Sequence, residues 1–346
     1  MPGTIIITGA NGSVAVHTVH HLLSKAPDST LILTVRNPSD TDPHTKLLRE
    51  TASQFPSSTV SIRSLDLTSL KAVRGFASTV ADEVGRGILP PLSAIVCNAF
   101  HWDLVRDAEV TAEDGLEKTM LVNHVAHAAL VLRLLGSFGP RDRDQDSTPG
   151  RIVLFTSDAH CPGRNGLEVY PPGIPEDLED LVRVGDGGDG GNGEKDRRGR
   201  GFWRYANSKL AILMWTYALN RYLEKDESLS NTSAVAIDPG SITDSRALRT
   251  NTPAVLSHMQ RFVLQPLGPV LRCVVSSMRS SSDVGADVAD LVLSRKFAEE
   301  RGYLNLVVPG PSSEESLDEK KQQDIWLKTA EWVGITREDT ALEGGF

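Results

Sequence analysis

The sequence predicts an open, doubly wound α/β sheet, and three observations carry that prediction. Short runs of β-branched and leucine residues alternate with helical stretches along most of the chain. Those runs are nearly continuous in apolar character, as strands covered on both faces of a parallel sheet are. The first run leads straight into a loop of small residues that opens a helix, the local order that binds phosphates in such sheets.

Residues 4–8 read as the first strand and 14–25 as the first helix. Residues 31–35, 60–63, 93–97, 151–156 and 234–237 read as further strands, with a possible seventh at 303–307. Helical patterns fill 41–54, 68–85, 112–136, 203–224 and 283–298. An amphipathic helix at 316–334 closes the chain, which reads as one domain over 1–346.

Two segments break this rhythm. Residues 160–202 form a long insertion, proline-rich at first and glycine-rich at its end. It reads as a lid or a solvated excursion, with disorder expected over about 185–200. Residues 241–282 follow a Pro239-Gly240 turn and read as the region that closes over a substrate.

Net charge bounds the function. The 346 residues carry a formal charge of −9, which argues against a nucleic-acid binder. Three cysteines, an odd count at wide spacing, suit free thiols in a reducing, cytoplasmic setting. No uninterrupted apolar run of membrane-spanning length is read, and the chain enters a strand by residue 4, so no signal peptide is expected. Paired histidines on helices (His17, His20, His21; His124, His127) lack the other ligands of a metal set, and no metal is expected.

The phosphate loop runs from Thr8 through Gly9, Ala10, Asn11, Gly12, Ser13 and Val14. Gly9 allows a tight turn, and Asn11, Gly12 and Ser13 allow backbone and short side chains to approach a pyrophosphate. The second strand ends at Arg36 and Asn37, where an acidic residue would favour NAD. Arg36 suits a 2′-phosphate, so NADP(H) is expected; the alternative is a solvated surface arginine. Asp66, beside Leu67, suits the adenine amino group or, alternatively, an N-cap.

Tyr205 and Lys209 stand four residues apart at the start of an apolar helix, on one face. A cation near a phenol favours the phenolate, which tunes it for proton transfer. With these residues in order, the chain from Thr8 to about residue 307 resembles the short-chain dehydrogenase/reductases, and within them the fungal reductases of secondary metabolism. The family's cofactor loop corresponds to Thr8 through Ala15, with Ser13 and Ala15 replacing glycines. Its Asn-Asn-Ala-Gly corresponds to Cys97, Asn98, Ala99 and Phe100.

That resemblance implies a Rossmann-type fold and names a catalytic group. Ser157 would hydrogen-bond a substrate carbonyl and Tyr205 would donate the proton. Lys209 would lower the tyrosine pKa and hold the nicotinamide ribose, and Asn123 would fix a relay water. Pro239, Gly240, Ile242 and Thr243 would line the nicotinamide side, while Asp244 departs from the family's threonine. The expected reaction is NADPH-dependent reduction of a carbonyl on an apolar small molecule such as a polyketide-like intermediate. The alternative is a non-redox dehydratase, isomerase or cyclase holding a structural NADP.

Several features keep two readings. Asp158 is a second proton handler or a loop cap, the cap being favoured. His101 and Trp102 belong to the pocket or merely pack beside it. Trp203, Trp215, Tyr217 and Tyr222 read as core and interface packing, with Phe202 and Trp203 as alternative borders of the mouth. Val255, Leu256, Met259, Phe262, Val263 and Leu264 suggest an apolar substrate. Only Arg272 is basic between Pro266 and Val275, so firm membrane association is not expected. The helices at 112–136 and 203–224 are apolar enough for a homodimer.

Overall fold

The structure, a computed structural model, describes residues 3–139, 149–184, 193–275 and 277–345. Strands β1 (Thr4–Ile7), β2 (Thr30–Val35), β3 (Thr59–Ser64), β4 (Leu92–Cys97), β5 (Gly150–Phe155) and β6 (Thr232–Asp238) join β9 (Gly302–Asn305) and β10 (Val308–Pro309) in one sheet. Its order is β10-β9-β6-β5-β4-β1-β2-β3, parallel except for β10. A small parallel pair, β7 (Ser241–Ile242) and β8 (Met278–Arg279), lies apart.

Strand alternation divides the core. Ile5 and Ile7 face the cluster that holds Val14, Val19, Leu22, Val284 and Val288. Ile6 faces the cluster that holds Val73, Val125, Leu130 and Trp215. Helices α1 (Ser13–Lys25), α2 (Pro43–Ser53) and α9 (Ser281–Leu293) therefore cover one face. Helices α3 (Leu70–Gly85), α4 (Lys118–Met120), α5 (Ala126–Leu134), α6 (Glu194–Lys225) and α10 (Glu319–Val333) cover the other. Helices α7 (Ala254–Met259) and α8 (Gln265–Val274) lie between β7 and β8. Each fully buried isoleucine of β1 contributes roughly 1.5–3 kcal/mol.

The helix expected at 112–136 starts at Lys118 and contains a π-helical turn, Leu121–Val125. By length and composition Lys118–Ser137 could cross a membrane, contrary to the expectation that no such run exists. It is a core helix, 89% buried. The polar residues Asn123, His124, His127 and Arg133 interrupt the run in the sequence, but the helix folds through them.

The insertion also departs from expectation. Residues 185–192, part of the stretch expected to be disordered, lie outside the described residues. Residues 194–200 are helical and begin α6, nine residues before the expected start. Their charged helix formers explain this: Glu194 and Asp196 occupy the first turn, and Arg200 pairs with Asp196 at 3.0 Å. The proline-rich part packs onto the body. Gly173 N donates to Asn207 Oδ1 at 3.0 Å, Glu117 N donates to the Val182 carbonyl at 2.6 Å, and Ile174, Leu181 and Val182 are buried.

Farther along α6, Trp215 and Tyr222 stack on Trp326 of α10, with ring centroids 5.6 and 4.6 Å apart.

Candidate active site

Phosphate-binding geometry starts at Gly9, whose φ of 59° suits glycine and where a Cβ would come within 3.0 Å of Ala99. Asn98 Nδ2 donates to the carbonyls of Thr8 and Gly9 at 3.1 and 3.0 Å, and Ala99 N donates to Thr8 Oγ1 at 3.1 Å. These bonds bind the end of β4 to the loop. No side chain caps α1, so its first-turn N–H groups are available to an anion. The loop fits a pyrophosphate on these grounds. Val14 takes part through its backbone alone, because its side chain is buried in the core.

Arg246 was not anticipated from the sequence. Its backbone N and Nε donate to Ser13 Oγ at 3.2 and 3.3 Å, and its Nη2 donates to the Asn11 carbonyl at 2.5 Å. Ser13 therefore has a structural use where the family has a glycine. Among the described residues no carboxylate lies within ion-pairing distance of this guanidinium. A cation at a helix N-terminus opposes the helix dipole, and an arriving anion would relieve that opposition. The only sequence signal is its position shortly after the Pro239-Gly240 turn.

The adenosine end is partly committed already. Asn11 Nδ2 donates to Asp42 Oδ2 and Thr45 Oγ1 at 3.2 and 3.1 Å. Asn37 Oδ1 accepts from Ser39 N at 3.0 Å, so that side chain closes a turn. Asp66 Oδ1 accepts from Thr68 N and Oγ1 and so closes a turn, while the N-cap of α3 is Ser69 and not Asp66; Leu67 is buried. Arg36 is exposed at the end of β2.

Ser157 follows β5 and caps the short turn Asp158–His160. Tyr205 and Lys209 come from α6. The long detour between them closes: Ala159, two residues past Ser157, and Tyr205 share one apolar cluster. Thr156 Oγ1 donates to the Lys209 carbonyl at 2.9 Å, pinning the strand end to the helix. Ser157 Oγ donates to Asp158 Oδ1 at 3.0 Å, and Asn165 Nδ2 donates to the same oxygen at 3.0 Å. A hydroxyl has one proton, so Ser157 must turn from Asp158 before it can donate to a substrate oxygen.

Lys209 reaches from α6 to the end of β5. Its Nζ donates to the Phe155 carbonyl at 2.8 Å and lies 5.6 Å from the Tyr205 ring centroid. Burial raises the phenol pKa well above its usual value. Ser157 works against that shift, and the carboxylates of Asp158 and Asp238 add to it. Burial pushes the Lys209 ammonium down to about 7. Burial likewise raises Asp238 to about 6; its Oδ1 accepts from Gly240 N at 2.9 Å.

The Asn123 amide braces the site. Its Oδ1 accepts from His101 N at 2.7 Å, and its Nδ2 donates to the His101 carbonyl and to Ser208 Oγ, both at 2.9 Å. The amide thereby holds the loop after β4 against α6.

An aromatic wall surrounds Tyr205. The rings of Phe100, Trp102 and Phe202 lie 6.4, 5.4 and 6.0 Å from its ring centroid. Trp102 Nε1 donates to the carbonyls of Ala247 and Thr250 at 3.2 and 3.1 Å. His101 turns to Thr119, and burial pushes its imidazole down to about 4. By contrast Val255, Met259, Phe262 and Val263, expected near the substrate, face solvent.

Beyond the Pro239-Gly240 turn, Ile242 is held in β7. Thr243 is buried and its Oγ1 donates to the Arg279 carbonyl at 3.2 Å. Asp244 Oδ1 accepts from Ser281 N and Oγ at 2.7 and 2.8 Å, which anchors the start of α9. His124 and His127 are buried and hydrogen-bonded to Thr329 and Thr8. Among the described residues no group of three or more His, Cys, Asp or Glu is arranged to hold a metal.

Comparison with known proteins gives the family. Residues 3–117 match the KR domain, and residues 246–342 match the AcuH dehydrogenase domain. The short-chain dehydrogenase iccH of Talaromyces variabilis is 26% identical, over 99% of this chain and 98% of its own. The dehydrogenase acuH of Aspergillus aculeatus is 47% identical over 92 residues, 27% of this chain and 94% of that one. A blue fluorescent protein from a metagenomic library, solved in complex with NADPH, has a TM-score of 0.55 at 17% identity, over 88% of this chain and 96% of that one. The last likeness speaks for the fold alone. The chain is an oxidoreductase of the short-chain dehydrogenase/reductase family, alongside fungal members.

Proposed function

We propose that the protein is an NADPH-dependent reductase that converts a ketone on an apolar small molecule to an alcohol, working in the cytoplasm. The observation that carries this reading is the return of α6 to the end of β5, which sets Tyr205 in one cluster with Ala159 and among the Phe100, Trp102 and Phe202 rings. The cofactor supplies the hydride. The Asn98-braced loop and the N-terminus of α1 hold its pyrophosphate, and Arg36 favours the 2′-phosphate. Ser157, turned from Asp158, orients the carbonyl oxygen, and Tyr205 gives that oxygen its proton. A phenol with a raised pKa is protonated at neutral pH, which suits the reductive direction. The aromatic wall supports an apolar substrate, and the fungal relatives support a place in secondary metabolism.

The test is NADPH oxidation across a panel of apolar ketones, with product mass measured. Turnover with a product heavier by one hydrogen molecule is expected. Tyr205→Phe is expected to lower turnover by about 10²–10⁴-fold with NADPH affinity nearly unchanged. A product of unchanged mass, formed without NADPH oxidation, would overturn the redox reading in favour of isomerisation.

A further inference from the structure

The run from α7 through the π-helical turn Gln260–Leu264 to α8 lays one side on the body and leaves apolar side chains exposed on the other. The inner side carries Leu256, Gln260, Leu264, Gly268 and Leu271. Gln260 is fully buried there and donates to the Thr243 and Ser245 carbonyls, both at 3.0 Å. The outer side carries Val255, Met259, Phe262, Leu267, Val270 and Val274 at helical spacing. Their exposures run from 40% at Met259 to 79% at Val274. A contiguous exposed apolar stripe of this kind marks a contact surface.

Charge says which contact. Between Asp244 and Asp283 the sequence has five arginines and no acidic residue, in a chain whose net charge is −9. Arg279 is paired with Asp287 at 2.5 Å. Arg246 is engaged at Ser13 and Asn11 and is not part of this surface; among the described residues, Arg249 and Arg261 have no carboxylate within ion-pairing distance. Arg261 is exposed beside Phe262, 5.5 Å from its ring. A second copy of the chain, docked by two-fold symmetry, would bring this acid-free surface against itself.

We propose that this stripe docks reversibly on an anionic lipid surface, its aliphatic and phenyl groups in the acyl boundary and its arginines at the headgroups. The contact is peripheral and salt-sensitive, and it stands independently of the chemistry at Tyr205.

Co-sedimentation of the full chain with phosphatidylcholine vesicles, with and without phosphatidylserine, tests it. Binding to the serine-containing vesicles is expected, with release at about 0.5 M salt, where the Debye length falls to a few ångströms. Phe262→Asp combined with Val270→Asp is expected to abolish binding. Arg261→Gln is expected to weaken it roughly fivefold while keeping the apolar stripe. Retained NADPH binding would verify that each variant is folded. Absence of binding to anionic vesicles, equal binding to both vesicle types, or undiminished binding of the double variant would each overturn the proposal. So would light scattering that shows a dimer split by the double variant while the parent chain ignores vesicles.

Discussion

Lys209 Nζ donates to the Phe155 carbonyl at 2.8 Å and lies over the Tyr205 ring, 5.6 Å from its centroid. A buried ammonium with a single such bond is a burden on the cofactor-free fold. Its pKa falls to about 7 from an unfolded value near ~10.4. Between those values the folded chain binds fewer protons than the unfolded one, so stability rises with pH. Burial of the Cys97 thiol acts oppositely above ~8.5. Urea melts of the cofactor-free chain are therefore expected to strengthen from about pH 7 to 8.5. Lys209→Met is expected to be more stable at pH 7 and to flatten that slope. An unchanged slope in the variant would show that the ammonium is solvated.

Arg246 and Arg36 are expected to separate the two phosphate sites. Arg246, on the pyrophosphate loop, affects NADPH and NADH alike. A lost charge-assisted bond corresponds to about 10–100-fold weaker binding in Arg246→Gln. Arg36→Gln is expected to weaken NADPH and leave NADH nearly unchanged. Calorimetric titration of both variants with both cofactors reads this directly, and unaltered NADH binding to Arg246→Gln would remove that residue from the site.

Asn123 is expected to act by position. Asn123→Ala leaves the His101 backbone and Ser208 without their partner, and each stranded buried group costs about 1–3 kcal/mol. The loop after β4 carries Phe100 and Trp102, so kcat is expected to fall along with the melting midpoint. A variant with native stability would contradict the bracing role.

Gly201 marks where α6 presses on the loop carrying Asp103. A Cβ there would lie 2.0 Å from the Asp103 carbonyl, whereas at Gly75, inside α3, it would meet nothing within 4 Å. Gly201→Ala is expected to destabilise by about 1–3 kcal/mol or more. Gly75→Ala is expected to stabilise by roughly 0.5–1 kcal/mol. Thermal melts of the pair compare overpacking with helix propensity in one protein.

The sheet was legible because each strand announces itself locally: Thr4–Ile7 and Leu31–Val35 have no other plausible use. Ser157, Tyr205 and Lys209 were legible because their spacing and order are distinctive. The rest depended on distance. Nothing near Arg246 in the sequence says that its guanidinium meets Ser13. The glycines at 185–193 masked the helix-forming charges that begin at Glu194. Tyr205 and Lys209 share a helix face as expected, but the Phe155 carbonyl that draws the ammonium aside belongs to another element. The exposure of Phe262 and Val270 was equally hidden, since apolar spacing reveals a face without saying what lies against it.

Helix α6 carries both Tyr205, the proposed proton donor, and Trp215 of the tryptophan stack. Residues that never approach a ligand, Trp215 and Trp326 among them, thus hold leverage over the phenol's placement. Selection on the chain's closing helix can therefore retune chemistry from afar, without altering any group that touches the reactants.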